Sequence, residues 1–295
     1  MKTTLGRVLA TAWVALALHA LPAHALDLDA DDYGSGAVPA GTNLALLYYQ
    51  HAQRDQVRAN GQRVGNGDLQ SDVGILRLVR FVDIFGLRAD PQVLLPFGQL
   101  RASSDLDALG RTSGVGDPIV TATVWLVNRP ADGVFFGLTP AVWLPVGSYD
   151  RNRALNLGEN RWKTMLQAGA TVPLGRKDLS LQLAADVTAF GRNDDYGPGS
   201  QSLSQKPLYQ FQAWLKYDLL PSFDLRIGTS HFRGGETSVD RQPRDDRTRT
   251  TNVKLGFGWG FAPGWNFTVL YGRDVSVRNG LQESDRINLR LLKAF

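Results

Sequence analysis

Asn252-Val253-Lys254-Leu255-Gly256-Phe257-Gly258-Trp259-Gly260-Phe261 is the stretch that decides the fold. Its odd positions are all apolar and its even positions are polar or glycine, so the apolar set carries no charge. Side chains alternate between the two faces of a strand, and this period of two sends one face toward lipid and the other toward a lumen. A helix, with 3.6 residues per turn, cannot sort residues in this way.

Working outward from that segment, the pattern recurs about twelve times, as a closed bacterial barrel with an even strand number requires. The strands are predicted at 43–53, 71–85, 87–101, 117–128, 134–148, 161–174, 179–192, 207–219, 223–232, 250–261, 265–277 and 285–295. Tight connectors rich in Gly, Pro or Asp at 85–86, 129–133, 175–178, 220–222 and 262–264 alternate with long polar ones at 54–70, 102–116, 149–160, 193–206, 233–249 and 278–284. Short periplasmic turns and longer external loops alternate in this manner. The fold class is therefore all-β: a transmembrane antiparallel up-and-down β-barrel with both termini periplasmic. A soluble β-sandwich would bury its apolar faces, but it explains neither the regular alternation of connectors nor the terminal Phe295.

The first residues read differently. Lys2 and Arg7 precede an apolar run over 8–21, and Ala23-His24-Ala25 fits a signal-peptidase site. The run is short for a spanning helix, so 1–25 is read as a signal peptide, 26–42 as a periplasmic N-terminal segment and 43–295 as the outer-membrane barrel. This places the protein in the outer membrane of a Gram-negative bacterium. The chain of 295 residues has no cysteine, which excludes disulfides, thiolate metal sites and cysteine nucleophiles. Its formal charge of +4 includes Lys2 and Arg7, so the mature chain is nearly balanced and no nucleic-acid partner is expected. No cofactor or metal is expected either.

Phe295 shares a face with Ile287, Leu289 and Leu291, a pattern that resembles the C-terminal insertion signal read by the barrel-assembly machinery. Lys293 interrupts that face, either by snorkelling to the interface or through a slip of period. Tyr48, Tyr49, Phe81, Phe97, Tyr209, Tyr217, Phe223, Trp265 and Tyr271 fall near strand ends, as interfacial girdles would require.

Five segments together resemble one family, the outer-membrane channels named for the phenol meta-cleavage pathway. They are Pro39-Ala40-Gly41-Thr42, Leu95-Pro96-Phe97-Gly98, Gly114-Val115-Gly116-Asp117-Pro118, Leu144-Pro145-Val146-Gly147-Ser148-Tyr149 and Leu157-Gly158-Glu159-Asn160-Arg161-Trp162. Val146 stands where the family commonly has Thr. The resemblance implies passage of small hydrophobic or aromatic compounds. The motif glycines and prolines themselves read as structural, bending or ending strands near the rim.

Chemistry is sparse. Ser230 precedes His231, but neighbours on a strand face opposite sides and no third partner is identifiable, so the chain is not read as an enzyme. The pairs Asp194-Asp195 and Asp245-Asp246 match no calcium-loop template. Arg233, Arg241, Arg244, Arg247 and Arg249 suit lipopolysaccharide phosphates, although Glu236, Asp240, Asp245 and Asp246 balance them. Phasing the strands by their apolar faces points Trp125, Trp143, Asp186, Gln210, Gln212, Trp214, Lys216, Asp224, Arg226, Lys254, Arg286 and Arg290 inward. These are the candidate lumen and solute-binding residues. The glycines at 256, 258 and 260 are expected to keep that lumen open.

Asp27, Asp29, Asp31 and Asp32 lie on a small-residue tether before the first strand. Two readings fit: a hatch that enters the basic lumen, or an untethered spacer, and the spacer is the expected one because termini are commonly unpacked. Two functions follow for the whole chain. One is passive uptake of small hydrophobic or aromatic solutes, with aromatic acids as a variant suited to a basic lumen. The other is a non-conducting barrel that binds outer-membrane lipid, lipopolysaccharide or a protein partner through its loops.

Overall fold

The structure is a computed structural model and describes residues 29–295. The signal-peptide assignment and Asp27 lie outside the described residues. Eighteen strands follow in chain order. They are β1 (Asn43–Ala59), β2 (Gln62–Arg80), β3 (Val82–Ile84), β4 (Leu87–Ser104), β5 (Arg111–Val115) and β6 (Ile119–Arg129), then β7 (Val134–Trp143), β8 (Lys163–Pro173) and β9 (Leu179–Phe190). The remainder are β10 (Asn193–Tyr196), β11 (Gln201–Gln205), β12 (Leu208–Leu220), β13 (Phe223–Gly234), β14 (Thr237–Val239), β15 (Gln242–Pro243), β16 (Thr248–Ala262), β17 (Trp265–Val277) and β18 (Gly280–Ala294).

Twelve of these form the closed wall: β1, β2, β4, β6, β7, β8, β9, β12, β13, β16, β17 and β18, each antiparallel to its neighbours. β1 pairs β18 from Leu44↔Ala294 to Arg58↔Gly280 and so closes the barrel without an edge. β3 extends the line of β2 and β5 that of β6, while β10, β11, β14 and β15 form a small sheet among the long connectors. Asn43 N donates to Phe295 O at 2.8 Å, so both ends of the barrel sequence meet at the short-turn end.

The outward face is apolar. Leu225, Ile227, Val253, Leu255 and Trp259 are exposed at that surface, while Asp224, Arg226, Asn252 and Lys254 of the same strands are buried within the barrel. Phe223 stacks on Phe257, and Trp259, Phe261 and Trp265 form a chain of ring contacts near the short-turn end. Lys293 lies over the Trp265 ring, 5.0 Å from its centroid, and donates to Pro263 O at 3.4 Å. The interruption in the last strand is therefore a lysine reaching the rim.

Two aromatics assigned to the girdles face inward instead. Phe81 is buried and stacks on Trp125 at 6.0 Å, because it continues the inward-facing alternation of Ile75 and Val79 in β2. Tyr48 packs beside the same interior cluster, where its hydroxyl accepts from Arg77 at 3.0 Å. The hairpins at the long-loop end also carry further than the sequence suggests: β1 and β2 meet at Asn60-Gly61, so most of 54–70 is strand rather than loop. The lumen glycines leave no gap at 258, where an added Cβ would lie 2.3 Å from Arg226 Nη2 and 2.5 Å from Asp224 Oδ2. That space holds an ion pair.

Candidate functional site

The interior begins at the N-terminus of the described chain. A short 3-10 turn, Tyr33–Ala37, sits inside the wall with Tyr33 buried. Arg290 of β18 grips Asp31 with two nitrogens, Nη1 to Oδ1 at 3.0 Å and Nη2 to Oδ2 at 2.9 Å, and also bonds Asp29 Oδ2 at 2.9 Å. Arg226 Nη1 lies 3.7 Å from Asp31 Oδ2, and Arg77 donates to Asp32 Oδ1 at 3.2 Å. Charge-assisted, bidentate contacts of this kind are the strong ones. The untethered spacer expected for this segment is thus replaced by a docked one.

Tyr33 supplies the second anchor. Its hydroxyl bonds Thr139 Oγ1 at 3.0 Å and donates to Gln167 Oε1 at 3.1 Å, its amide donates to Gln182 Oε1 at 2.9 Å, and its carbonyl accepts from Trp125 Nε1 at 2.9 Å. The ring lies on Gly169, where a Cβ would stand 2.0 Å from it. Burial raises the Asp29 carboxyl above its usual range, with Arg290 opposing. Burial acts the same way on Asp31, but there Arg290 and then Arg226 outweigh it and hold the carboxyl well below that range.

Above the segment, toward the long-loop end, is a cavity of ≈ 240 Å³. Arg54, Arg161, Lys163 and Arg286 give it a basic lining, Ile75, Leu100 and Leu155 an apolar one, and Trp143 an aromatic wall. Lys163 Nζ stands 5.1 Å from the Trp143 ring centroid. Trp143 Nε1 is buried away from the cavity and has no hydrogen-bond partner among the described residues. Arg54 bonds Glu283 at 2.5 Å, and Arg286 bonds the same carboxylate at 2.6 Å. Glu159 pairs with Lys163 and, at 2.6 Å, with Arg161; burial would raise its carboxyl, but Lys163 and then Arg161 hold it down at about 2. A second cavity of ≈ 50 Å³ shares Gln50 and Ile75 with the first and ends on Asp29, Asp32 and Tyr33.

The twelve candidate lumen residues divide among these features. Eleven are buried within the barrel, and Lys216 is half-buried beside its partner Asp218. Arg226 and Arg290 hold the N-terminal segment, Asp224 is paired to Arg226 at 2.7 Å, and Trp125 supports Tyr33. Asp186 receives Gln167 Nε2 at 3.1 Å. Trp214 packs under Lys254, 5.5 Å from its ring centroid, while Gln210 and Gln212 are buried in the same wall. Trp143 and Arg286 alone of the set line the larger cavity. Sequence reasoning missed Arg54, Arg77, Glu159, Arg161, Lys163 and Glu283. Arg54 and Glu283 lie on strand extensions read as loop, and Glu159 and Arg161 sit on the 144–162 connector, whose inward fold has no periodic signal. Ser230 is fully buried with Lys254 Nζ 3.4 Å away, whereas His231 bonds Thr251 on the outward face, so the two form no catalytic pair.

Residues 52–291 match the family described as the putative MetA-pathway of phenol degradation. The chain belongs to this family. It is 39% identical to an outer membrane channel from Pseudomonas putida F1, with 91% of this chain and all of that one covered and a TM-score of 0.87. The β domain of a Bordetella autotransporter, at 14% identity, covers 87% of this chain and 100% of its own with a TM-score of 0.56. The translocator domain of the Neisseria meningitidis autotransporter NalP, also at 14% identity, covers 97% and 99% with a TM-score of 0.52, and these last two share the fold alone. No curated protein sequence matches. The phenol-degradation family member described here is thus an outer-membrane β-barrel of a Gram-negative bacterium.

The family segments now have physical roles. The Asp117 carboxylate accepts Gly147 N at 3.0 Å on one oxygen and Glu159 N at 2.9 Å on the other, tying 144–149 to 157–162. Gly158 packs directly on the Gly147 backbone, where a Cβ would lie 2.7 Å away. The resulting clasp folds the 144–162 connector over the larger cavity and presents Glu159, Arg161 and Leu155 to it.

Proposed function

We propose that the chain is a passive uptake channel for small hydrophobic and aromatic compounds, aromatic acids included, with its long-loop end outside the cell and both termini in the periplasm. The observation that carries this reading is the ≈ 240 Å³ cavity itself, which sets the Trp143 ring and an apolar wall beside Lys163, Arg161, Arg54 and Arg286. An apolar cavity of roughly 150 Å³ accepts benzene, so this one has room for a single ring and its carboxylate. The ring would face Trp143 and the apolar wall, while the carboxylate would lie by the Lys163 ammonium in competition with Glu159. Passage beyond it requires the Asp29–Tyr33 segment to shift, since the smaller cavity ends there. The identity to a Pseudomonas putida outer membrane channel supports conduction over the non-conducting alternative. No step of this process is catalytic, and assembly is assigned to the barrel-assembly machinery acting on the C-terminal strand.

The test is planar-bilayer recording with benzoate on either side. Wild-type current is expected to favour benzoate over a small cation, and Lys163→Gln and Trp143→Phe are each expected to weaken benzoate block. Equal block of wild type and both variants would contradict the assigned site.

A further inference from the structure

The outward wall from β7 to β17 has a feature that the channel reading does not use. A shallow apolar groove of ≈ 480 Å³ crosses β8, β9 and β12, floored by Ala170, Ala185 and Ala213 between the rings of Phe136 and Phe211. Elsewhere that surface carries large side chains such as Leu215, Leu225 and Leu255. The groove ends at His231, and the ladder shows what lies beyond: Phe211 is opposite His231, and one step toward the long-loop end Tyr209 is opposite Arg233. Arg233 is in turn directly opposite Arg249.

Two like charges facing each other across a ladder destabilise it unless something neutralises them. Both arginines are exposed, and among the described residues neither guanidinium has an ion-pair or hydrogen-bond partner. Three of the four acids that sequence assigned to balance them are engaged elsewhere, and Asp245 pairs with neither arginine. Glu236 holds Lys206, Asp240 accepts Ser202 N at 2.9 Å and Gln201 Nε2 at 3.1 Å, and Asp246 accepts Thr237 N at 2.7 Å. Arg273 stands two strands from the groove, opposite Val253, and Asp285 on the next strand is taken by the Tyr271 hydroxyl at 2.6 Å.

We propose that this wall binds one molecule of the phosphorylated, multi-acyl glycolipid of the outer leaflet, with a phosphate on Arg233 and Arg249 and an acyl chain in the alanine-floored groove. Guanidinium pairs match phosphate oxygens bidentately, and a recess of small side chains beside them gives a chain a fixed path that a flat lipid face lacks. A phosphatidylglycerol headgroup brings one phosphate and less charge, so it is expected to bind less tightly. The proposal rests on the long-loop end facing outward, but binding by purified protein does not depend on orientation, so the two readings fail separately.

Native mass spectrometry of the full chain in detergent tests it with four probes: bisphosphorylated hexa-acyl lipid A, its dephosphorylated form, phosphatidylglycerol and inorganic phosphate. Wild type is expected to retain one lipid A, at least about tenfold more tightly than the dephosphorylated form or phosphatidylglycerol, a difference of about 1.4 kcal/mol. Arg233→Gln with Arg249→Gln removes that preference, and Ala213→Trp, which fills the groove, weakens retention while leaving the arginines in place. Heat-shifted gel mobility confirms that each variant is folded. Equal retention by wild type and the double-arginine variant, or by lipid A and phosphatidylglycerol, would overturn the proposal. So would displacement of lipid A by inorganic phosphate, which would reduce the site to a simple anion contact.

Discussion

Arg290, on the last strand of the barrel, and Asp31, on the segment that precedes the first, are joined by two parallel hydrogen bonds of 3.0 and 2.9 Å. The contact ties the segment before β1 to the last strand inside the barrel. Because the same guanidinium also bonds Asp29 and lies 3.0 Å from Thr268 Oγ1, the segment is fixed from one side by charge and from the other by Tyr33.

The Tyr33 anchor is separable from the charges. Gly169→Ala would place a methyl group 2.0 Å from the Tyr33 ring while leaving every aspartate intact. The ring must then leave its seat, with loss of hydrogen bonds each contributing roughly 0.5–1.5 kcal/mol. Trp125 emission is expected to shift, because its indole N–H loses the Tyr33 carbonyl. An unchanged spectrum and unchanged protease protection of the segment would show that Tyr33 is not an anchor.

Acidification is expected to leave the segment docked. The Asp31 carboxyl is depressed from 3.8, so its stabilising contribution is complete above the unfolded value and is lost only as pH falls through the still lower docked one. Asp29 is raised, so its protonation on the way down weakens its contact to Arg290 but relieves a larger cost of burial and leaves docking favoured. Conductance measured from about pH 7 to about pH 4 should therefore show no opening step. A steep rise within that window would mean that Asp31 is not held as described.

Leu255→Arg tests which face meets lipid. Leu255 is 58% exposed on the outward side, and a basic residue there near mid-bilayer costs roughly 2–4 kcal/mol. Assembly, judged by heat-modifiable mobility, should fall well below that of Leu255→Ala. Equal assembly of the two would place this strand out of phase.

Orientation is read by accessibility. A protease site inserted at Arg241, in the exposed turn between β14 and β15, should be cut on intact cells, and one at Pro263, between β16 and β17, should not. The reverse pattern would invert the barrel.

The wall was legible in the sequence because lipid imposes an uninterrupted apolar face, as at Val253, Leu255, Phe257 and Trp259. Where both faces are polar the alternation fades, and the extensions that carry Arg54 and Glu283 then read as loop. Lumen-facing residues such as Arg226, Lys254 and Arg290 could be phased from their strands, but their partners could not. Asp224, two residues from Arg226 on the same strand face, is the exception; Asp31 is matched to Arg290 and Glu283 to Arg54 by three-dimensional proximity alone, across 259 and 229 residues. Tyr48 and Phe81 were misplaced because nearness to a strand end was weighed over alternation, which sets Tyr48 on the inward face with Leu46 and Phe81 with Ile75 and Val79.

The central claim is that the barrel conducts small aromatic solutes past a docked N-terminal segment. Benzoate flux into proteoliposomes bearing the full chain, set beside a chain lacking residues 29–38, measures it most directly. Measurable flux through the full chain, rising on removal of the segment while Arg290→Gln gives an intermediate increase, is the predicted result. No flux through either chain, with both correctly assembled, would contradict the account and leave a barrel that conducts nothing.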